Sequence, residues 1–131
     1  MLQERGEFLY GTEQGDIGLY LRFCWPNDLP QIESIELDGQ AGLIVWINVE
    51  AGAVAVSRKS DTTDALTFVG ASQERWSSRK ARRMICSCGS DLHEVAAGYQ
   101  LGANGRPAWV VVGTRCPECG LLSSPVDWNV D

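Results

Sequence analysis

Four of the five cysteines in this 131-residue chain arrive in two pairs: Cys86 and Cys88 in RMICSCG (83–89), Cys116 and Cys119 in RCPECG (115–120). The pairs are separated by 27 residues (89–115). Residues 92–99 can form a strand, residues 102–107 carry the turn formers Gly102, Gly105 and Pro107, and residues 109–114 open on the β-prone run Trp109-Val110-Val111-Val112. An antiparallel hairpin sets its two ends side by side, so the four thiols converge on one point. Tetrahedral zinc requires that arrangement, at Zn–S distances of about 2.3 Å. Cys86, Cys88, Cys116 and Cys119 are therefore the candidate ligands, and Zn2+ the candidate cofactor. A glycine, Gly89 or Gly120, follows each pair. A knuckle that aims backbone N–H groups at sulfur needs a positive φ there, which glycine adopts at little steric cost. Arg115 and the basic residues ahead of Cys86 are placed to offset part of the thiolate charge.

Disulfides are the competing use of four thiols, and the rest of the chain argues against them. The opening MLQERGEFLYG lacks the basic and apolar regions of a secretory signal. The longest apolar run, residues 42–47, is too short to span a bilayer. The expectation is a cytoplasmic protein with no membrane partner, in a compartment where thiols stay reduced and closely spaced cysteines bind metal. An odd count of five also fits a disulfide framework badly.

The first half reads as strands. In residues 17–25, Ile17, Leu19, Leu21, Phe23 and Trp25 alternate with smaller or polar residues, the period of a half-buried strand, and Pro26-Asn27-Asp28 ends it. Residues 43–49 form a β-branched run that leaves through Glu50-Ala51-Gly52 into residues 53–56, which predicts a hairpin. Residues 32–37 and 66–69 are weaker strand candidates. Between 72 and 84 the residues are polar helix formers with Ser72 as an N-cap, predicting a short helix. The fold class is thus mostly β: an N-terminal antiparallel sheet, a short helix or connector, and a cysteine-bearing hairpin, the two parts packed on each other.

Residues 84–121, with two cysteine knuckles, two glycines and a hairpin between, resemble the zinc-ribbon superfamily. The first knuckle departs from the usual ribbon pattern in being C-x-C rather than C-x-x-C. That leaves open whether Cys86 and Cys88 both bind, with His93 as the substitute fourth ligand. The C-x-C, spacer, C-x-x-C order is also similar to the zinc-binding tail of the redox-regulated heat-shock chaperones, which implies a redox-responsive zinc switch. This chain is too short to hold that family's large chaperone domain. A third pattern joins C-x-C-G to Gly98, Tyr99, Trp109, Gly113, Arg115, Cys116, Cys119, Asp127 and Trp128. It resembles small bacterial immunity-like proteins encoded beside secreted toxins.

The net charge of −6 is unevenly shared. Residues 1–74 hold 12 acidic and four basic side chains, while residues 75–131 hold five acidic and seven basic. Five of those seven, Arg75, Arg79, Lys80, Arg82 and Arg83, precede the first cysteine pair. The asymmetry divides the chain into an antiparallel β region (1–74) and a basic connector plus zinc ribbon (75–131). There is no GxSxG, P-loop or HExxH, and one histidine cannot be matched to a nucleophile by spacing. The expectation is a non-enzymatic protein-binding module. The third resemblance implies an immunity-type inhibitor whose acidic part meets a basic protein partner, a toxin. The rival is a nucleic-acid-associated zinc-ribbon protein acting through residues 75–83, disfavoured by the acidic remainder. Cys24 reads as a small half-buried hydrophobe and His93 as a surface or partner-satisfied histidine. The five tryptophans read as packing residues, with Trp76 the most exposed.

Overall fold

The computed structural model describes residues 1–26, 29–48, 52–59, 66–70, 72–77 and 79–130. The protein is mostly β, with an N-terminal antiparallel sheet and a C-terminal cysteine cluster next to strands. The chain opens with a hairpin that the sequence reading did not anticipate: β1 (Leu2–Arg5) pairs with β2 (Phe8–Gly11) around Gly6, whose φ of 66° suits the turn.

The next element corrects an expectation. Residues 17–25 do not form a strand; Asp16–Cys24 is a helix, α1. Ile17, Leu21 and Trp25 are spaced at i, i+4 as well as at period 2, so one pattern serves both structures. The helix separates the odd positions that a strand would put on one face. Ile17 and Leu21 are 0% exposed, while Leu19 and Phe23 are 54% and 64% exposed. Its start is tied down by Asp16, whose buried carboxylate accepts N–H groups from Thr12 (2.8 Å) and Glu13 (3.2 Å) and lies 2.5 Å from the Met1 α-amino nitrogen. Burial pushes the Asp16 carboxyl up, but the Met1 ammonium and the two N–H donors outweigh it and leave it below its ordinary value.

Among the described residues, seven strands and one turn of 3-10 helix follow before the last strand. They are β3 (Gln31–Ile35), β4 (Leu43–Asn48), β5 (Ala53–Ser57), β6 (Thr67–Phe68), the 3-10 turn Ser72–Arg75, β7 (Arg82–Arg83), β8 (Leu92–Leu101) and β9 (Pro107–Arg115); β10 (Leu122–Asn129) closes the chain. The β4–β5 hairpin, β3, β6 and the β8–β9 hairpin match the sequence expectations. The turn residues 27–28 and 49–51, and the Ser72 side chain assigned as an N-cap, lie outside the described residues. The helix expected over 72–84 is corrected. It is one 3-10 turn, and Arg82 and Arg83 instead pair with Ile47 and Trp46 of β4. This stretch has no apolar stripe to bury as a helix, whereas the open edge of β4 offers backbone partners, among them Val45 O to the Met84 N–H at 2.8 Å. Trp76 is half-buried, its ring set edge-on to Phe68 with centroids 5.5 Å apart.

Among the described residues, all strands after the first hairpin belong to one sheet, in the order β10-β9-β8-β4-β5-β6, with β3 also on β8 and β7 also on β4. β8 is the meeting strand. β9 runs along one edge, while β4 pairs at Leu92 and His93 and β3 pairs at residues 95–99 on the other. Strands from either side of residue 74 therefore hydrogen-bond directly. The centre of the sheet is buried on both faces. Val95, Ala97, Val110 and Val112 join Leu43, Val45, Val54, Val56 and Trp128 in one cluster. Ala96 and Val111 face the other way and meet Ile17, Leu21, Leu29 and Leu122. Double burial explains the unbroken Val110-Val111-Val112 run. Helix α1 lies so close to β9 that a Cβ on Gly113 would sit 2.7 Å from Ile17 Cγ2 and 3.0 Å from Leu21. No helix among the described residues is long and apolar enough to cross a membrane.

Candidate metal centre

The two cysteine knuckles hang from the paired strand ends at the β8 start and the β9 end. In the first, the Cys86 N–H donates to Ser90 O (2.9 Å) and the Gly89 N–H returns to Cys86 O (2.8 Å). In the second, the Cys116 N–H donates to Leu121 O (3.0 Å) and the Gly120 N–H returns to Cys116 O (2.7 Å). The bonding scheme is the same in both, with each reach one residue shorter in the first. This is how C-x-C forms a knuckle equivalent to C-x-x-C. Both closing glycines have the positive φ expected of them, 98° at Gly89 and 84° at Gly120. Gly120 is constrained twice, because its carbonyl also accepts the Gly11 N–H (2.8 Å) and a Cβ would meet Gly11 O at 2.6 Å. The N-terminal hairpin thus braces the second knuckle.

The structure brings together the four cysteines singled out in the sequence: Cys86, Cys88, Cys116 and Cys119 have their sulfurs all within 4.8 Å of one another. Cys86 Sγ lies 3.6 Å from Cys119 Sγ, and Cys88 Sγ lies 3.5 Å from Cys116 Sγ. These are far from a bonded S–S length of about 2.05 Å. They approach the edge of about 3.8 Å that four sulfurs at 2.3 Å from a tetrahedral ion would have. Cys86 and Cys116 are buried, Cys119 is half-buried and Cys88 is exposed.

Backbone N–H groups converge on the sulfurs. Ser90 donates to Cys88, Glu118 and Cys119 to Cys116, and Leu121 to Cys119. Burial raises the Cys116 thiol, but its two N–H donors and the neighbouring sulfurs bring it down to about 7. Burial and the adjacent sulfurs push Cys119 up to about 12 against the Leu121 N–H. At Cys88 the Ser90 N–H lowers the thiol, yet Cys116, burial and Cys86 together raise it.

The charge compensation expected from Arg115 is corrected. Its guanidinium pairs with Glu94 and donates from Nε to Gly11 O (2.9 Å), holding the first hairpin to the sheet. Within the basic segment, Arg83 pairs with Asp91 at 3.3 Å and lies over the Trp46 ring, and Arg75 donates to Asn129 O. Dipoles of the knuckle backbone face the sulfurs instead. His93 is corrected as well. It is 1% exposed, faces Leu43 across β4–β8, and stands outside the four-sulfur group. Burial lowers its pKa, partly countered by Asp91, and its Nδ1 has no hydrogen-bond partner among the described residues. Cys24, expected to be half-buried, is exposed at the end of α1 and takes no part in the cluster. Sequence reasoning missed the bracing contact of Gly11 on Gly120, for which the chain carries no local signal.

Four thiols at these distances could hold a structural metal ion. Comparison with protein-family models, with curated proteins and with solved structures finds no match.

Proposed function

We propose that Cys86, Cys88, Cys116 and Cys119 hold one zinc ion as a structural centre, and that the protein is a non-enzymatic recognition module shaped around it. The supporting observation is the closure of the four sulfurs by two equivalent knuckles. All-thiolate donors favour a soft or borderline ion, and four protein ligands leave no coordination position for an attacking water. Zinc supplies cross-linking here, tying the strap before β8 to the β9–β10 connection. Metal analysis of the purified chain should give one zinc per molecule, lost in Cys119→Ser. A fully folded, metal-free preparation would defeat this reading.

The partner class follows from charge. Glu4, Glu7, Glu13, Glu33, Glu36 and Asp38 are all exposed, in a region whose acidic side chains outnumber basic ones 12 to four. A basic protein is the complementary partner, and charge of this kind mainly accelerates encounter. With the resemblance to immunity-like proteins, this makes the reading an inhibitor that masks a toxin. Co-expression with the products of neighbouring genes tests it: the protein should rescue growth from a toxic neighbour. Growth arrest unaffected by its presence would leave only the zinc centre standing.

A second reading, nucleic-acid binding, draws on Arg79, Lys80 and Arg82, exposed beside the Arg83–Trp46 contact. Micromolar binding to single strands, steeply weakened by salt and lost in Arg79→Ala/Arg82→Ala, would favour it over the first.

A further inference from the structure

Arg115 stands one residue before Cys116, yet its hydrogen bonds go to Glu94 and Gly11. Glu94 is its direct partner across β8–β9, and the Arg115 and Glu94 side chains are only 12% and 15% exposed. An ion pair this enclosed fixes the plane of the guanidinium, which leaves Nε aimed at Gly11 O at 2.9 Å. Gly11 lies 104 residues away along the chain, at the end of β2. Its peptide is gripped from the other side too. The Gly11 N–H donates to Gly120 O at 2.8 Å, and the Gly120 N–H closes the second knuckle on Cys116 O at 2.7 Å. A chain of bonds therefore runs from Glu94 through Arg115, Gly11 and Gly120 to Cys116. Tyr10, bridged to Leu121, holds the same hairpin end to the same knuckle. At the matching corner of the first knuckle, a Cβ on Gly89 would meet nothing within 4 Å among the described residues.

We propose that Arg115 is a positioning residue of the metal centre. By holding Gly11 on Gly120 it keeps the second knuckle closed and sets how fast the centre exchanges its metal. This rests on the zinc reading above. The competing role, charge compensation of the thiolates, makes opposite demands on two conservative variants. Arg115→Lys keeps the charge, but one nitrogen cannot take the places of both Nε and Nη1. Glu94→Gln keeps Arg115 and removes the charge that orients it. Compensation by charge would leave Arg115→Lys near the parent and make Glu94→Gln hold metal more tightly, its cation no longer cancelled. Bracing makes both release metal faster.

The test is zinc release from the full chain, as purified, into excess chromophoric chelator, with amide hydrogen exchange on the same samples. Arg115→Gln should release zinc about tenfold or more faster than the parent, and Arg115→Lys and Glu94→Gln should move in the same direction. Exchange should quicken at Gly11, Cys116 and Gly120 and stay unchanged at Cys86 and Gly89. Val56→Ala, a core change on β5, should lower the denaturation midpoint without speeding release, which separates bracing from overall stability. Should Arg115→Gln fail to fold, the other two variants decide. Parent-like release by Arg115→Lys, slower release by Glu94→Gln, exchange quickened equally at both knuckles, or release that follows the midpoint in every variant would overturn the assignment. A parent chain found without metal overturns the zinc reading, and the exchange pattern of its variants still decides the bracing.

Discussion

Gly89 and Gly120 occupy matching corners of the two knuckles under different constraints. A Cβ at Gly89 would meet nothing within 4 Å among the described residues, so Gly89→Ala should cost only the strain of its positive φ, about 1–2 kcal/mol. Gly120→Ala adds a collision with Gly11 O at 2.6 Å, from backbone that cannot rotate aside. It should cost about 3 kcal/mol or more and loosen the first hairpin; urea unfolding of the two variants side by side gives the comparison. Asp16 carries a pH prediction. Its carboxyl is held below the ordinary value by the Met1 ammonium and the Thr12 and Glu13 N–H groups, against the opposing effect of burial. A depressed carboxyl contributes stability in full above its unfolded pKa near 3.9 and loses it as pH falls through the folded value. Asp16→Asn should therefore be less stable than the parent by about 1–3 kcal/mol at neutral pH. The gap should narrow steadily below about pH 4. A gap independent of pH would mean that the carboxylate's charge is not what anchors the loop.

Helix α1 turns on a contact with one distant glycine. Leu21→Ala should cost about 2–5 kcal/mol, because Leu21 is enclosed between the helix and β9. Phe23→Lys should change stability by no more than about 0.5 kcal/mol, because that side chain stands in water. A strand over the same residues would make the two substitutions similarly costly, so denaturation midpoints of this pair discriminate the structures. Gly113→Val should act like Leu21→Ala from the other side, pushing the helix off β9. Residues 82–83 make the same point for strands. They are strand only because the edge of β4 is there to pair with, and neither their composition nor their spacing carries a β pattern.

At the scale of the whole molecule, the proposed metal and the fold should be lost together. The knuckles close one end of β8 and β9, and those strands share a sheet and a core with β3, β4 and β5. Zinc at a structural site contributes on the order of 10–16 kcal/mol of apparent binding energy, comparable to or above the entire stability of a domain this size. Stripping it with a strong chelator, or introducing Cys119→Ser, should unfold both halves in one cooperative transition. Tryptophan emission, which samples Trp25 and Trp46 as well as Trp109 and Trp128, should track loss of strand circular dichroism. Two separated transitions would show that residues 1–74 hold together without the rest. In a complex with a basic partner, Glu33→Lys with Glu36→Lys should slow association more than it speeds release, and added salt should slow the parent's association too.

The metal-site candidates were legible in the sequence because their chemistry is local. Thiol spacing, a glycine after each pair and a hairpin-length spacer all sit within a few residues of the atoms they organise. The β4–β5 and β8–β9 hairpins were legible for the same reason: each pairs neighbours along the chain across a turn. The helix was not. Ile17, Leu21 and Trp25 satisfy a strand and a helix equally, and Gly113, far along the chain, decides between them by leaving a helix-sized gap on β9. Nor was the role of Arg115, which was placed by composition near the thiolates but is held in the fold by Glu94 and Gly11. Burial of His93 and its neighbouring cavity exist only once β2, β8 and both knuckles meet. Short-range chemistry can be read from order along the chain; which surfaces are covered, and by what, is settled only when distant segments compete for the same space.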